Sequence, residues 1–426
     1  MTDKPCYIKP EQLRIGLYVH LDLGWMDHPF TFNNFKIKDE GQIAEIRKLG
    51  LSQVRYDPLR SDCEPSPEDA SSPLEVVINS PEVRRESPEE DAEQGKQTLQ
   101  QQRLQQLQQA IQECEKSFVQ TTGVVRLIEK DILNAPSRAL HQATELVGSM
   151  VESLLTESEV VLHAMQPKTG AVEQYTHSLN VTVLTLVLAK SLDITEEEAN
   201  FLGMGAMFHD VGKSQIPDRI TKKTDPLTKA EISLIQQHSG MGAKYASDVG
   251  MSPRVVRIIQ QHHEYMDGSG FPDKLKGDQI DRLTRVVSVA NLYDNLCNPV
   301  NPAQAMTPYE ALSHMFAHQR GKCDPDVLKL LIKSLGVYPP GSLVRLSDNT
   351  YGIVISVNPS KPLRPYVLLY APDVPRHTPL LLDLSIEVGL SVTHCLRASQ
   401  LPGEVLEYLD PAKRISYFFS KEKVAA

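Results

Sequence analysis

The chain has 426 residues, of which 41% are hydrophobic and 23% charged, an ordinary balance for a globular protein with two or three domains. No stretch nears the roughly 20 apolar residues of a membrane span; the longest apolar run, Val181 to Ala189, is broken by Thr182 and Thr185. The net charge of -10 speaks against broad binding to nucleic acid or to a membrane surface, so an anionic substrate would need local cations or metal ions. The six cysteines are scattered without a CxxC pair and read as free thiols. The start, MTDKPCYIKP, has no apolar signal core, and a cytoplasmic protein is expected.

Residues 1–59 read as a small mixed α/β module. Leu17 to Leu23 has strand character, Gln42 to Gly50 is a helix with a glycine stop, and Ser52 to Asp57 is a second strand, with Trp25, Phe30, Phe32 and Phe35 as the expected core. Residues 60–95, rich in Pro, Ser, Glu and Asp, read as a disordered linker. Residues 96–135 form a helical connector in which Leu104, Leu107, Ile111, Cys114, Phe118, Val125, Ile128 and Ile132 keep a 3-4 spacing. That seam suits a partner helix, from the same subunit or from a second copy, and a homodimer is expected from it.

Residues 137–336 are helical almost throughout. Thr195 with Glu198 and Thr228 with Glu231 have the form of capping boxes, and Leu179, Val183, Leu186 and Val187 mark one buried helix face. Residues 341–426 turn strand-like, with SLVRL, YGIVISV and PYVLLYA separated by turn residues, and predict a small β-rich C-terminal segment. The expected fold class is therefore mostly α, a helical bundle with small mixed and β-rich modules at its two ends.

Five of the 13 histidines fall in order between residues 177 and 263. His177 stands in EQYTHSLNV, His209 and Asp210 in FHDVGK, His238 in QQHSGMG, and His262 and His263 in QQHHEYMDGSGFP. Imidazoles around one carboxylate are what a binuclear site for iron, manganese or zinc requires, and Asp210 can bridge two cations through its two oxygens. Such a pair of metals can clamp a phosphodiester for in-line attack.

Over residues 165–335 this pattern resembles the HD superfamily and, within it, the HD-GYP subfamily, through HDVGKSQIPDRI, LTKAE and HHEYMDGSGFP. The stretch IKPEQLRIGLYVHLDLGWMDHPF resembles the small domain of unknown function that often precedes HD-GYP domains. The resemblance implies a metal-dependent phosphodiesterase that hydrolyses cyclic di-GMP to pGpG or GMP. Some members act on related cyclic dinucleotides, and others bind without turnover. It implies two or three divalent ions, iron or manganese first, and protein partners such as GGDEF-type cyclases. His177, His209, Asp210, His238, His262 and His263 would be the metal ligands, Glu173 would hold a third ion, and Lys213 would contact phosphate. Asp267, Gly268 and Gly270 belong to the signature loop at the substrate.

The sequence departs from this pattern in three places. Asn291 stands where the family supplies a last metal-binding Asp, and brings no charge. Phe271 replaces the Tyr of GYP, keeping the ring without its hydroxyl. The family's Arg-Pro-Tyr stretch is absent, so a contact to the dinucleotide is missing or is supplied by Arg282, Arg285, Lys222 or Lys223.

Overall fold

The structure is a computed structural model that describes residues 6–21, 34–51, 53–58, 60–65, 88–156, 160–165, 176–358, 360–375, 380–387, 389–411 and 414–421. It divides into two compact units, Met1–Arg85 and Glu86–Ala426.

In the first unit, strands β1 (Cys6–Ile8), β2 (Tyr18–His20), β3 (Asn34–Lys36) and β4 (Val54–Tyr56) form an antiparallel sheet in the order β1-β4-β2-β3. Helix α1 (Glu40–Lys48) is capped by the Asp39 side chain, and the chain leaves it through Gly50 at a φ of 66°, the glycine stop that was expected. The core is aliphatic: Leu17, Val19, Ile43, Ile46 and Val54 are buried, with Phe35 packed against them. Trp25, Phe30 and Phe32, expected in this core, lie outside the described residues.

The second unit opens with α2 (Pro88–Asp131), which starts inside the stretch read as linker, and α3 (Pro136–Thr156). The 3-4 seam of α2 is covered by its own chain. Cys114, Phe118, Val125, Ile128 and Ile132 are buried in the main core, beside α3 residues such as Ala143 and Val147, and Phe418 packs edge-on against Phe118. Among the described seam residues no wet apolar stripe remains, so the stripe itself is no longer an argument for a second copy. The side chains of Leu104 and Leu107 lie outside the described ones.

The helical bundle continues with α4 (Thr176–Ala189), α5 (Glu196–Phe208), α6 (Asp218–Thr221), α7 (Lys229–Gln236), α8 (His238–Asp248), α9 (Pro253–Gln261), α10 (Arg282–Cys297), α11 (Pro308–His318) and α12 (Pro325–Leu335). Both expected capping boxes form, at Thr195 and Thr228, and Thr307 with Glu310 forms another. Helix α4 is not buried on one face, as its spacing suggested, but on nearly every side, including Asn180, Thr182 and Thr185. A helix apolar all round is a central helix, and the first metal-ligand candidate stands at its start.

A seven-stranded antiparallel sheet completes this unit. Its strands are β5 (Val160–Met165), β6 (Leu343–Leu346), β7 (Tyr351–Ser356), β8 (Tyr366–Leu369), β9 (Leu381–Asp383), β10 (Val392–Leu396) and β11 (Ser416–Lys421), with α13 (Gly403–Leu409) before the last. Strand β5 interrupts the stretch read as helical, just ahead of α4, and pairs with β11 from Val160↔Lys421 to Met165↔Ser416. Tyr417, Phe418 and Phe419 of β11 belong to the same core as the helices. Among the described residues no helix is long and apolar enough to cross a membrane.

Candidate metal centre

Two groups of side chains offer ligand atoms that all lie within 4.8 Å of one another: His177, His209 and Asp210, and Asp210, His238, His262 and His263. Asp210 belongs to both, and its two oxygens divide between them. Oδ2 lies 3.4 Å from His177 Nε2 and 3.5 Å from His209 Nε2, whereas Oδ1 lies 3.3 Å from His238 Nε2 and 3.9 Å from His262 Nε2. This is the arrangement of a bridging carboxylate.

Helix geometry sets the rings. His209, His238 and His262 each stand at a helix boundary, where their Nδ1–H donates to the carbonyl three residues earlier: Ala206 at 2.6 Å, Ile235 at 2.6 Å and Ile259 at 2.8 Å. A committed Nδ1–H leaves Nε2 as a bare lone pair. His177 is held differently, with Nδ1 2.7 Å from Asp294 Oδ2. The Nε2 atoms then approach in pairs, His177 with His209 at 3.1 Å and His238 with His262 at 3.2 Å. Between His238 and His262 two lone pairs face each other and repel, and a cation between them would turn the repulsion into ligation; His177, held up at about 9, instead directs an Nε2–H at His209 until a metal displaces the proton. Asp210 Oδ1 is buried without a hydrogen-bond partner, since the nearby His238 Nε2 has no proton to give. The donor set therefore fits divalent metal ions.

The electrostatics agree. Burial holds His209 down to about 4 and holds His262 and His263 well below the usual imidazole range, so these rings are neutral ligands at neutral pH. For Asp210, burial acts upward, but Lys213, His209 and the hydrogen bond from His177 hold the carboxyl well below its usual value. Lys213 Nζ is 2.5 Å from Asp210 Oδ2, with its side chain 38% exposed and so open to solvent on the other side. Burial would lower His177, yet Asp210 and Asp294 carry it up to about 9.

Close backbone approach brings the two groups together. A Cβ on Gly212 would lie 2.0 Å from the His238 carbonyl oxygen, so only glycine lets the turn after Asp210 rest on α8. A Cβ on Gly270 would lie 2.4 Å from the His263 carbonyl oxygen, which ties the signature loop to the ligand pair. Asp267 Oδ1 accepts from Ser269 N at 2.9 Å and shapes the turn that holds Gly268. Glu264, which the sequence reading passed over, is 1% exposed and accepts from Asp273 N at 2.6 Å and Leu275 N at 3.0 Å, anchoring the loop's far end. Phe271 stacks on His263 with ring centroids 4.5 Å apart, so the ring of this position is used without its hydroxyl.

The remaining expected site residues are placed as follows. Asn291 is buried on α10, and its Oδ1, the atom that could coordinate, accepts from Asn295 Nδ2 at 2.7 Å. Arg285 is tied to Asp278 at 2.9 Å, Asp324 at 3.3 Å and the Ile280 carbonyl at 3.0 Å, a strut under the loop with no guanidinium face left open. Arg282 donates to the Asp193 carbonyl, Lys222 pairs with Asp218 and Lys223 with Glu231. Glu173 lies outside the described residues. Two further acids belong to the site. Asp294, one helical turn beyond Asn291 on α10, orients His177. Glu129 of α2 is hydrogen-bonded to Ser178 in the field of His177 and Asp210, its carboxyl pushed up by burial.

Residues 135–327 match the HD domain family, and residues 6–153 match a domain of unknown function, DUF3391. The chain is 28% identical over 363 residues to a cyclic di-GMP phosphodiesterase of Pseudomonas aeruginosa, covering 84% of this chain and 83% of that one. It is 33% identical over 204 residues to a cyclic di-GMP phosphodiesterase response regulator of Xanthomonas campestris, covering 46% of this chain and 53% of that one. It is 28% identical over 213 residues to a 3'3'-cGAMP-specific phosphodiesterase of Vibrio cholerae, covering 50% and 45%. The chain thus spans most of the Pseudomonas relative and about half the length of the other two. Residues 135–327 thus carry an HD domain, and their ordered His-Asp ligand set and DGSGFP loop are consistent with its HD-GYP branch.

Proposed function

We infer that the chain is a metal-dependent phosphodiesterase for cyclic dinucleotides, with cyclic di-GMP as first substrate and linear pGpG or GMP as product. One observation carries this reading: four imidazoles converge through Nε2 on the two oxygens of a single buried carboxylate. The names of the three relatives support the substrate class. His177, His209 and Asp210 would hold one ion, and Asp210, His238, His262 and His263 the other, with iron or manganese suited to this nitrogen and oxygen donor set. Glu173 is assigned to a third. Bound there, such ions supply Lewis acidity for water activation and for the charge of the phosphodiester.

The chain's own residues do the rest. The fixed Nδ1–H bonds preorganise the rings, so little reorganisation is needed on binding. Lys213, beside Asp210 and open to solvent, contacts the phosphate and can give a proton to the leaving oxygen. The Phe271 ring walls the His263 side. Arg285 is engaged within the protein and exposed Arg282 spends one N–H on the Asp193 carbonyl, whereas Lys213 and the ions stand at the centre to meet the phosphate charge.

A second reading, a regulator that binds the dinucleotide without turnover, is favoured by Asn291, whose oxygen is already hydrogen-bonded and which adds no charge. Metal analysis of anaerobically purified protein, followed by incubation with cyclic di-GMP and 3'3'-cGAMP, decides between them. At least two ions per chain with linear product formed is expected. Two ions without hydrolysis would favour the regulator, and protein that takes up no metal would overturn both.

A further inference from the structure

We propose that the C-terminal strand β11 is part of the frame of the metal centre: through Asn180 and Asn298 it holds Asp294, through Asp294 it sets the His177 ring, and metal affinity on the His177 side depends on its docking. The proposal rests on the two-metal reading above.

Asp294 is fully buried, and a buried carboxylate must have its oxygens satisfied. Oδ2 accepts from His177; Oδ1 accepts from Asn180 Nδ2 and from Asn298 Nδ2, both at 2.9 Å. Each amide gives its second hydrogen to the Ile415 carbonyl, both at 2.8 Å. The amide oxygens accept from backbone N–H groups of the same segment: Asn298 Oδ1 from Ile415 N at 2.8 Å, and Asn180 Oδ1 from Tyr417 N at 3.1 Å. Backbone N–H can only donate, so neither amide can flip without setting donor against donor. The network is closed, and Tyr417 adds a tether through its hydroxyl, 2.8 Å from that of Tyr293 on the helix that carries Asp294.

The consequence is an asymmetry between the two groups of ligands. His209, His238 and His262 are oriented by carbonyls three residues earlier in the chain. His177 is oriented by a chain of bonds that ends on residues 415 and 417. Loosening β11 would leave the other three rings in place and free His177 to turn its Nε2 away from Asp210. Outer partners of ligating histidines typically change metal affinity by about 10–100-fold.

The test is a titration of metal-stripped, full-length protein with Mn2+, read by equilibrium dialysis. Wild type should take up two ions. Asn298→Ala and Asn180→Ser should each weaken one of the two about 10–100-fold and leave the other unchanged. Asn298→Ala added to Asp294→Asn should cost nothing more than Asp294→Asn alone, because both cut one path. Both affinities unchanged, both lowered equally, or additive losses would overturn the relay. Should the variants not fold, wild type alone decides through hydrogen exchange. Linkage is reciprocal, so Mn2+ must raise the protection of the Ile415 and Tyr417 amides, and unchanged protection overturns the relay. A wild type that binds no Mn2+ removes the relay together with the metal reading, whereas two ions in wild type and unaltered variants removes the relay alone.

Discussion

Replacing Gly212 by Ala should disable the centre without touching a ligand. The added Cβ would lie 2.0 Å from the His238 carbonyl oxygen and 2.5 Å from Gly242 N, against the 3.4 Å or more of ordinary contact. All the nearest atoms are backbone, so no side chain can turn aside, and the turn carrying Asp210 must move off α8 by more than an ångström. Asp210 Oδ1 and His238 Nε2 are now 3.3 Å apart. One ion bound to both at about 2.1 Å tolerates a separation of about 4.2 Å at most, so a shift of that size exceeds what the ligand pair can absorb. Overpacking of this kind costs about 1–3 kcal/mol of stability, which a bundle with this core withstands. Gly212→Ala should therefore fold, with a lower melting temperature, and lose Mn2+ uptake on the His238 side. Circular dichroism melts and equilibrium dialysis measure the two effects. A variant that melts like wild type and binds two ions with unchanged affinity would refute the reasoning that this glycine joins the two ligand groups.

Further expectations follow from the same geometry. Asn291→Asp places a second carboxylate on the buried face of α10 near Asp294, so the metal-free protein should melt lower while metal occupancy and turnover of cyclic di-GMP rise; unchanged occupancy in elemental analysis counts against a ligand role for this position. His177, raised to about 9, is protonated in the metal-free protein at neutral pH. Metal must displace that proton, so affinity on this side should climb about tenfold per pH unit from 7 to 9 and flatten above; a profile already flat at pH 7 would show that His177 carries no proton to displace. Phe271→Tyr keeps the stack on His263 and adds one hydroxyl at the loop. Stability should stay within about 0.5 kcal/mol of wild type, with any kinetic effect in KM for the dinucleotide, and a change in metal stoichiometry would contradict the placement of this ring as a wall.

Much of the site was legible in the sequence because metal ligation admits few residue types. The order of His177, His209-Asp210, His238 and His262-His263 has little use other than a cluster, and the structure brings all of them together. Capping boxes were equally legible, since Thr195 and Glu198 reach each other within one turn of backbone. The seam of α2 was legible as a stripe that must be covered, but not as to what covers it. Spacing reports which side chains share a face, while the covering surface comes from α3 and β11, the latter nearly the whole unit away along the chain.

What the tertiary structure alone decided is the support of the ligands. In the sequence Asp294 is one more acid on a helix, and Asn180 and Asn298 are two unremarked amides. Only folding brings Asn180 within 2.9 Å of Asp294 and both amides onto the backbone of residues 415 and 417. Gly212 and Glu264 belong to the same class, the first acting through the space it leaves empty and the second through backbone N–H groups nine and eleven positions on. The sequence by itself determined which atoms can bind metal, because that is a property of side-chain type and order. Which way each ring faces depends on burial and on hydrogen bonds between distant segments, and local spacing carries no record of those.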